Sequence, residues 1–171
     1  MSSKRKIFLI ILSMGLLLFL FAMWYKYEYS MEKADEFQVN SPEYNRKLVI
    51  ATQGSEFKNR VTNEIVNHFE QDSIFIKVVD VSSLSKIYPK DYTAIVLIHT
   101  WENWKPPVDI EEFINRTANY QDKIIVLTTS GQGSYKMDGI DAITGESNLE
   151  EIDFFLKAII DRLNPLLKPK L

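Results

Sequence analysis

The chain has 171 residues, 46% of them hydrophobic and 25% charged, with a net charge of −3 and no cysteine. Without cysteine there is no disulfide, no thiolate chemistry and no zinc or iron–sulfur site built on sulfur. The mildly acidic balance, with no Lys/Arg stripe interleaved with aromatics, argues against a nucleic-acid partner.

Residues 1–6 form a short tail carrying Lys4, Arg5 and Lys6, and 7–24 follow as an uninterrupted apolar run whose only polar side chain is Ser13. At 1.5 Å per residue, about 20 apolar residues cross a ~30 Å hydrocarbon core, so the run predicts a membrane-spanning helix. The three preceding cations favour a cytoplasmic N-terminus. The expectation is a single-pass membrane protein whose remainder lies outside the cytoplasm, with the lipid bilayer as its first partner. A cleaved signal peptide has a shorter apolar region of about 7 to 15 residues and a small-x-small cleavage site. Here the run ends in Phe21-Ala22-Met23-Trp24-Tyr25, with bulky side chains where cleavage needs small ones. It therefore reads as an uncleaved signal anchor. Trp24, Tyr25, Tyr27 and Tyr29 read as an interfacial aromatic belt, with Lys26 able to snorkel towards head groups.

Residues 25–46 are polar, include Pro42, and read as a juxtamembrane linker with a short helix around 31–37. A strand–helix alternation then fills 47–171, a size suited to one domain with its own core. Residues 47–51 form a short apolar strand, and Phe57, Val61, Ile65, Val66 and Phe69 recur at helical spacing over 57–70. Strands follow at 74–81 and 93–98. A helix over 109–120 buries Ile110, Phe113, Ile114 and Thr117. Further strands fall at 123–128 and 139–143. The last helix opens at Asn148 with Glu151 as a capping pair, runs along Leu149, Ile152, Phe155, Leu156, Ile159, Ile160 and Leu163, and stops at Pro165. Continuously apolar strands alternating with helices predict an α/β fold with a parallel sheet covered on both faces. Ligand crevices in such sheets open at the carboxyl ends of the strands, so the loops 52–58, 99–107 and 129–138 are the candidate site.

This order and spacing over 47–163 resembles the flavodoxin-like fold, and more closely its flavodoxin and NAD(P)H-dependent FMN reductase branches. The most specific piece is the Pro107-initiated helix ending in Asn115-Arg116. The segment from Gly54 through Ser55, Lys58 and Thr62 is similar to that branch's phosphate loop. Thr128-Thr129-Ser130-Gly131-Gln132-Gly133 sits where the family runs a loop beside the flavin ring. The resemblance implies a doubly wound, five-stranded parallel sheet of order 2-1-3-4-5 and an FMN crevice. Its cofactor residues would be Thr52, Gly54, Ser55 and Lys58 around the phosphate, with Trp101, Trp104, Thr129, Ser130, Gly131 and Tyr135 around the ring.

The chain also departs from that pattern. Glu56 and Phe57 stand at the helix start, where a carboxylate repels a phosphate dianion and an apolar ring supplies no donor. Lys58 offsets part of that charge, and both Glu56 and Lys58 are expected outside the core. Trp101, Trp104 and Tyr135 either stack on a flavin or fix their loops against Pro106 and Pro107. His99 either moves a proton at the crevice or caps a loop, and His68 falls on a polar helix face. Asp141-Ala-Ile-Thr144-Gly145-Glu146-Ser147 is similar to the motif that receives covalent FMN in extracytoplasmic flavoproteins. The plainer reading is a strand and its turn into the last helix. With two distant histidines and no cysteine, no metal cluster forms. The expected function is a membrane-anchored, extracytoplasmic, flavodoxin-like module, non-catalytic or weakly flavin-binding, with a membrane redox or structural protein as a further partner. The alternative is an FMN-dependent electron carrier or oxidoreductase acting on a quinone or redox partner.

Overall fold

Ser13 donates its hydroxyl to the Ile10 carbonyl at 2.9 Å, so the lone polar side chain of the apolar run is satisfied inside its own helix. A computed structural model describes residues 3–29, 31–102 and 104–168, with backbone only for 25–29. Helix α1 (Ser3–Tyr29) carries apolar side chains on every face, and over Ser3–Trp24 it is long and apolar enough to cross a membrane. Trp24 of the expected aromatic belt is exposed, whereas the side chains of Tyr25, Lys26, Tyr27 and Tyr29 lie outside those described.

The second unit, Glu32–Leu171, is an α/β domain. Its strands are β1 (Phe37–Val39), β2 (Arg46–Thr52), β3 (Ile74–Asp80), β4 (Ala94–Thr100), β5 (Ile124–Thr129) and β6 (Ala142–Gly145), and its helices α2 (Glu56–Phe69), α3 (Val108–Arg116) and α4 (Ile152–Leu167). The sheet order is β1-β3-β2-β4-β5-β6, with every pair parallel except β1 on β3. Counting the parallel strands alone, this is the 2-1-3-4-5 order of the flavodoxin-like fold. The period-two alternation of the strands sorts their side chains into two cores. Leu48, Ile50, Val96, Ile98, Ile125 and Leu127 point into the layer shared with α2 and α4. Val49, Ala51, Ile95, Leu97 and Val126 point into the layer with Ile110, Phe113 and Ile114 of α3.

Four features differ from the sequence reading. The sheet has six strands, because Phe37–Val39 pairs antiparallel with β3 where a short helix and linker were expected. The segment is too short to carry a strand period, and its pairing is set by the edge it finds on β3. Helix α3 ends at Arg116 and gives way to a 3-10 segment, Ala118–Lys123, because Thr117 turns its hydroxyl back onto the Phe113 carbonyl at 2.7 Å. Strand β6 begins three residues and ends two residues later than expected, in register with β5 through Ile143 and Leu127. Finally, α4 runs through Pro165 to Leu167 rather than stopping at the proline. The reason is the stripe Phe155, Ile159, Leu163 and Leu167, all fully buried, which continues past Pro165 at helical spacing. One lost backbone bond in a last turn costs less than exposing Leu167.

Gly145 at the end of β6 fits because it lacks a side chain: a Cβ there would fall 2.3 Å from the Phe155 ring. That ring stands edge-on to Phe57, centroids 5.5 Å apart, and is fixed by the core around it. Gly145→Ala should therefore overpack the core and destabilise the domain by about 1–3 kcal/mol. A urea midpoint lowered with an unchanged slope checks this. An unchanged midpoint would mean the β6–α4 contact yields freely.

Candidate functional site

The carboxyl ends of β2, β4 and β5 lie side by side, β6 ends next to β5, and the first loop is tightly built. Beyond Thr52, Gln53 turns its buried side chain sideways: its Oε1 accepts the Thr100 N–H at 2.8 Å, and its Nε2 donates to Glu102 Oε1 at 3.3 Å. The Gly54 N–H donates to the Glu32 carbonyl at 2.7 Å. A Cβ at Gly54 would meet the Lys33 and Glu32 carbonyl oxygens at 2.7 and 2.8 Å, so only glycine admits this approach. Ser55 caps α2, its hydroxyl accepting the Lys58 N–H at 3.2 Å.

Residues 32–36 thus form a strap across the ends of β2 and β3. The Ala34 N–H donates to Asp80 Oδ2 at 2.9 Å, and Glu36 Oε1 accepts from the Asp80 N–H at 3.2 Å and from the Ser83 hydroxyl. Asp80 also caps the following 3-10 turn through Ser82.

Lys58 is fully buried, contrary to the expectation that it lies outside the core. It falls on the face of α2 that carries Thr62, Ile65 and Phe69, so its side chain is directed inward and its Nζ reaches Ser55 Oγ at 3.3 Å. Burial pushes its pKa down to about 8, with the Glu102 charge pulling the other way. Glu56, the residue next to the cap, is exposed as expected.

His99 at the end of β4 is fully buried and faces Thr128, Nε2 to Oγ1 at 3.0 Å, while its Nδ1 has no hydrogen-bond partner. Burial pushes its pKa down to about 4, opposed by the Thr100 backbone and reinforced by the Lys58 charge. The imidazole is therefore neutral at physiological pH and enclosed, which suits an internal polar contact better than exchange with a ligand.

Around the other loops, Trp101 and Tyr135 stack on each other, centroids 5.4 Å apart at 23°. The Trp101 N–H donates to the Thr129 carbonyl at 2.9 Å, which ties the loop to β5. Trp104 lies in a tight turn closed by Glu102 and Lys105, whose backbones bond each other at 3.0 and 3.2 Å. Its φ is +61° and its side chain is 79% exposed. Left-handed backbone costs a non-glycine residue about 1–2 kcal/mol, so this turn holds an indole in water at an energetic cost. Three hydroxyls line up at the ends of β4, β5 and β6: Thr100 and Thr129 are 2.6 Å apart, and Ser147 reaches Thr129 at 3.0 Å.

Two groups of residues result. Trp101, Trp104, Ser130, Gly131, Gln132 and Tyr135 wall one cavity of ≈ 290 Å³, whereas Thr129 is fully buried and does not line it. Thr52, Gly54, Ser55 and Lys58 sit at the neighbouring strand end, hydrogen-bonded within the chain. The sequence reading assigned no role to Gln53, Glu102 or the strap, whereas Ser147 closes the motif that it weighed. Gln53 and Glu102 carried a signal, being polar residues at strand ends, whereas the strap carried none. Arg116 of the Pro107-initiated helix is structural: its guanidinium donates to the Leu84 and Ile87 carbonyls at 2.7 and 2.8 Å. Thr144 and Gly145 lie in β6, and Asn148 accepts the Glu150 N–H, as the plainer reading of that motif expects. Among the described residues no group of His, Asp and Glu could hold a metal ion.

No protein-family model matches the chain, and no curated protein matches it. Among solved structures it is similar to a flavodoxin from the domain Archaea, with 15% identity, a TM-score of 0.49, and coverage of 70% of this chain and 98% of that one. The flavodoxin-like character of the fold follows from the strand order itself.

The buried lysine makes a measurable prediction. Its pKa falls from an ordinary 10.5 unfolded to about 8 folded, so between those values the unfolded chain binds more protons and stability rises with pH. Below about 8 both states are protonated and the full cost of burying the charge remains. Lys58→Met keeps the length without the charge. It should stabilise the domain at pH 7 by about 1–3 kcal/mol and abolish this part of the alkaline rise. Urea titrations of both proteins at neutral and alkaline pH check it. A destabilised Met variant would mean that the contacts with Ser55 and Glu102 outweigh the desolvation.

Proposed function

We propose that this chain is a membrane-anchored, flavodoxin-like module whose strand-end crevice does not run FMN chemistry. One observation carries the reading. The Gly54 N–H, which the flavodoxin resemblance assigns to the cofactor's phosphate, is spent on the Glu32 carbonyl of the strap, 2.7 Å away. A phosphate there would have to displace a segment that is itself bonded to Asp80.

The ring side points the same way. A third ring between Trp101 and Tyr135 would need about 7 Å, two contact distances, where the two rings stand 5.4 Å apart. Glu56 adds a carboxylate beside the helix start, and Lys58, the cation meant to offset it, faces inward. The residues present therefore fit FMN poorly in the manner the resemblance implies.

In this reading α1 crosses the bilayer with Lys4, Arg5 and Lys6 in the cytoplasm, and the domain lies on the other side. The crevice serves a partner protein or a small ligand in place of a redox relay. Protease added to intact spheroplasts should remove the domain, and full protection would overturn the orientation. The full chain, purified in detergent and titrated with FMN, should show no stoichiometric visible flavin absorbance and no saturable quenching of flavin fluorescence. Stoichiometric FMN would overturn the module reading in favour of an electron carrier or oxidoreductase.

A further inference from the structure

Beside the aromatic cavity lies a second, of ≈ 400 Å³, walled by Thr100, Glu146, Ser147 and Asn148. Both cavities are floored by Ser130 and Gly131, so they form one groove along the ends of β5 and β6. One half is aromatic, the other half hydroxyl, carboxylate and amide. We propose that this groove binds a neutral saccharide, with a pyranose ring face against the aromatic wall and its hydroxyls on the polar half. The proposal rests on the reading that the crevice is not an FMN site.

The polar half has bonding capacity to spare. Ser147 donates to the buried Thr129, and with Thr129 donating in turn to Thr100 the Thr100 O–H on the cavity wall remains to donate. Asn148 spends its Oδ1 on the Glu150 N–H, leaving both Nδ2 protons available. Among the described residues the Glu146 carboxylate makes no ion pair and no hydrogen bond, its backbone carbonyl taking the Asn148 N–H at 2.9 Å, so the carboxylate offers acceptors only. Ser130 Oγ accepts the Tyr135 N–H at a long 3.5 Å and keeps its own proton. Donors and acceptors interleaved at this spacing match vicinal hydroxyls, each of which both donates and accepts.

Charge narrows the class further. Neither cavity is walled by lysine or arginine, and Glu146 would repel an anion, so a phosphate or carboxylate ligand is disfavoured. The aromatic half supplies the apolar counterpart. Trp101 and Tyr135 brace each other as a stacked pair, and Trp104 is held in solvent by a left-handed backbone where glycine would be the unstrained choice. A sugar ring has one apolar C–H face and a polar perimeter, which is the division this groove presents.

The test uses the full chain in a polyoxyethylene detergent, since glycoside detergents would compete. Cellotetraose and the β-1,4-linked tetramer of N-acetylglucosamine are titrated by calorimetry and tryptophan fluorescence. At least one should bind saturably in the millimolar range or below. Trp104→Ala and Glu146→Gln should each weaken that binding by about tenfold or more, the worth of a lost ring contact or charged hydrogen bond. Both residues are exposed, so thermal midpoints should not move. Absence of saturable binding to either tetramer, or binding indifferent to both substitutions, overturns the proposal. So does a Trp104 that is needed for binding phospholipid vesicles in place of sugar. If neither FMN nor saccharide binds, this proposal alone falls. If FMN binds stoichiometrically, the reading beneath it falls as well.

Discussion

The bond on which the strand-end architecture depends is the one from the Gly54 N–H to the Glu32 carbonyl. It joins the first turn of the domain to the stretch of chain that enters it, and it requires a residue without a Cβ, because the Lys33 and Glu32 carbonyls crowd that position. Such a bond contributes about 0.5–1.5 kcal/mol net, but an unsatisfied buried partner costs more, so the two groups hold each other in place. Asp80 and Glu36 extend the tie to β3, and β1 continues it as an antiparallel edge. The strap thus closes the first turn over the end of β2. The helix start behind it is closed as well: Ser55 takes the Lys58 N–H, and the exposed carboxylate at that end belongs to Glu56.

Behind the strap lies a polar layer in an otherwise apolar sheet. Lys58 and His99 are both fully buried, and their charges oppose each other. His99 responds by staying neutral, with Thr128 as its contact. Lys58 retains much of its charge near neutral pH, eased by Ser55 and by Glu102. Gln53 binds the layer together, since its amide holds both the Thr100 backbone and the Glu102 carboxylate. Apart from the buried His99 Nδ1, each of these groups is bonded within the domain. The unspent capacity lies further along the strand ends, around Ser130, Glu146 and Asn148. The inner contacts of the crevice are thus internal to the domain, and its unpaired polar groups lie at the outer end.

Most of the sheet was legible because its strands are continuously apolar and its helices carry clear stripes, and α1 declared itself by length. What escaped was information that lives in contacts. Phe37–Val39 has no periodicity of its own and becomes a strand only by meeting the free edge of β3. Lys58 was read by its charge, although its position four residues before Thr62 and seven before Ile65 put it on the buried face. The same geometric rule that located the core helix therefore located Lys58 inside it. Pro165 was read as a stop because local chemistry says so, and Leu167 overrode it by burial. At the site, Trp101 and Tyr135 stack on each other, and a one-dimensional reading cannot tell a slot from a closed stack. The strap was the largest omission, since its binding atoms are mostly backbone and Glu32 gives no hint of its carbonyl's partner.

The closure of the first loop is most directly tested by native-state amide hydrogen exchange of the full chain in detergent micelles. If the strap is closed as described, the Gly54 and Ala34 N–H groups exchange slowly, far below the rate of the exposed Gly131, and added FMN leaves them unchanged. Gly54 exchanging as fast as Gly131, or becoming protected only when FMN is added, would contradict the account.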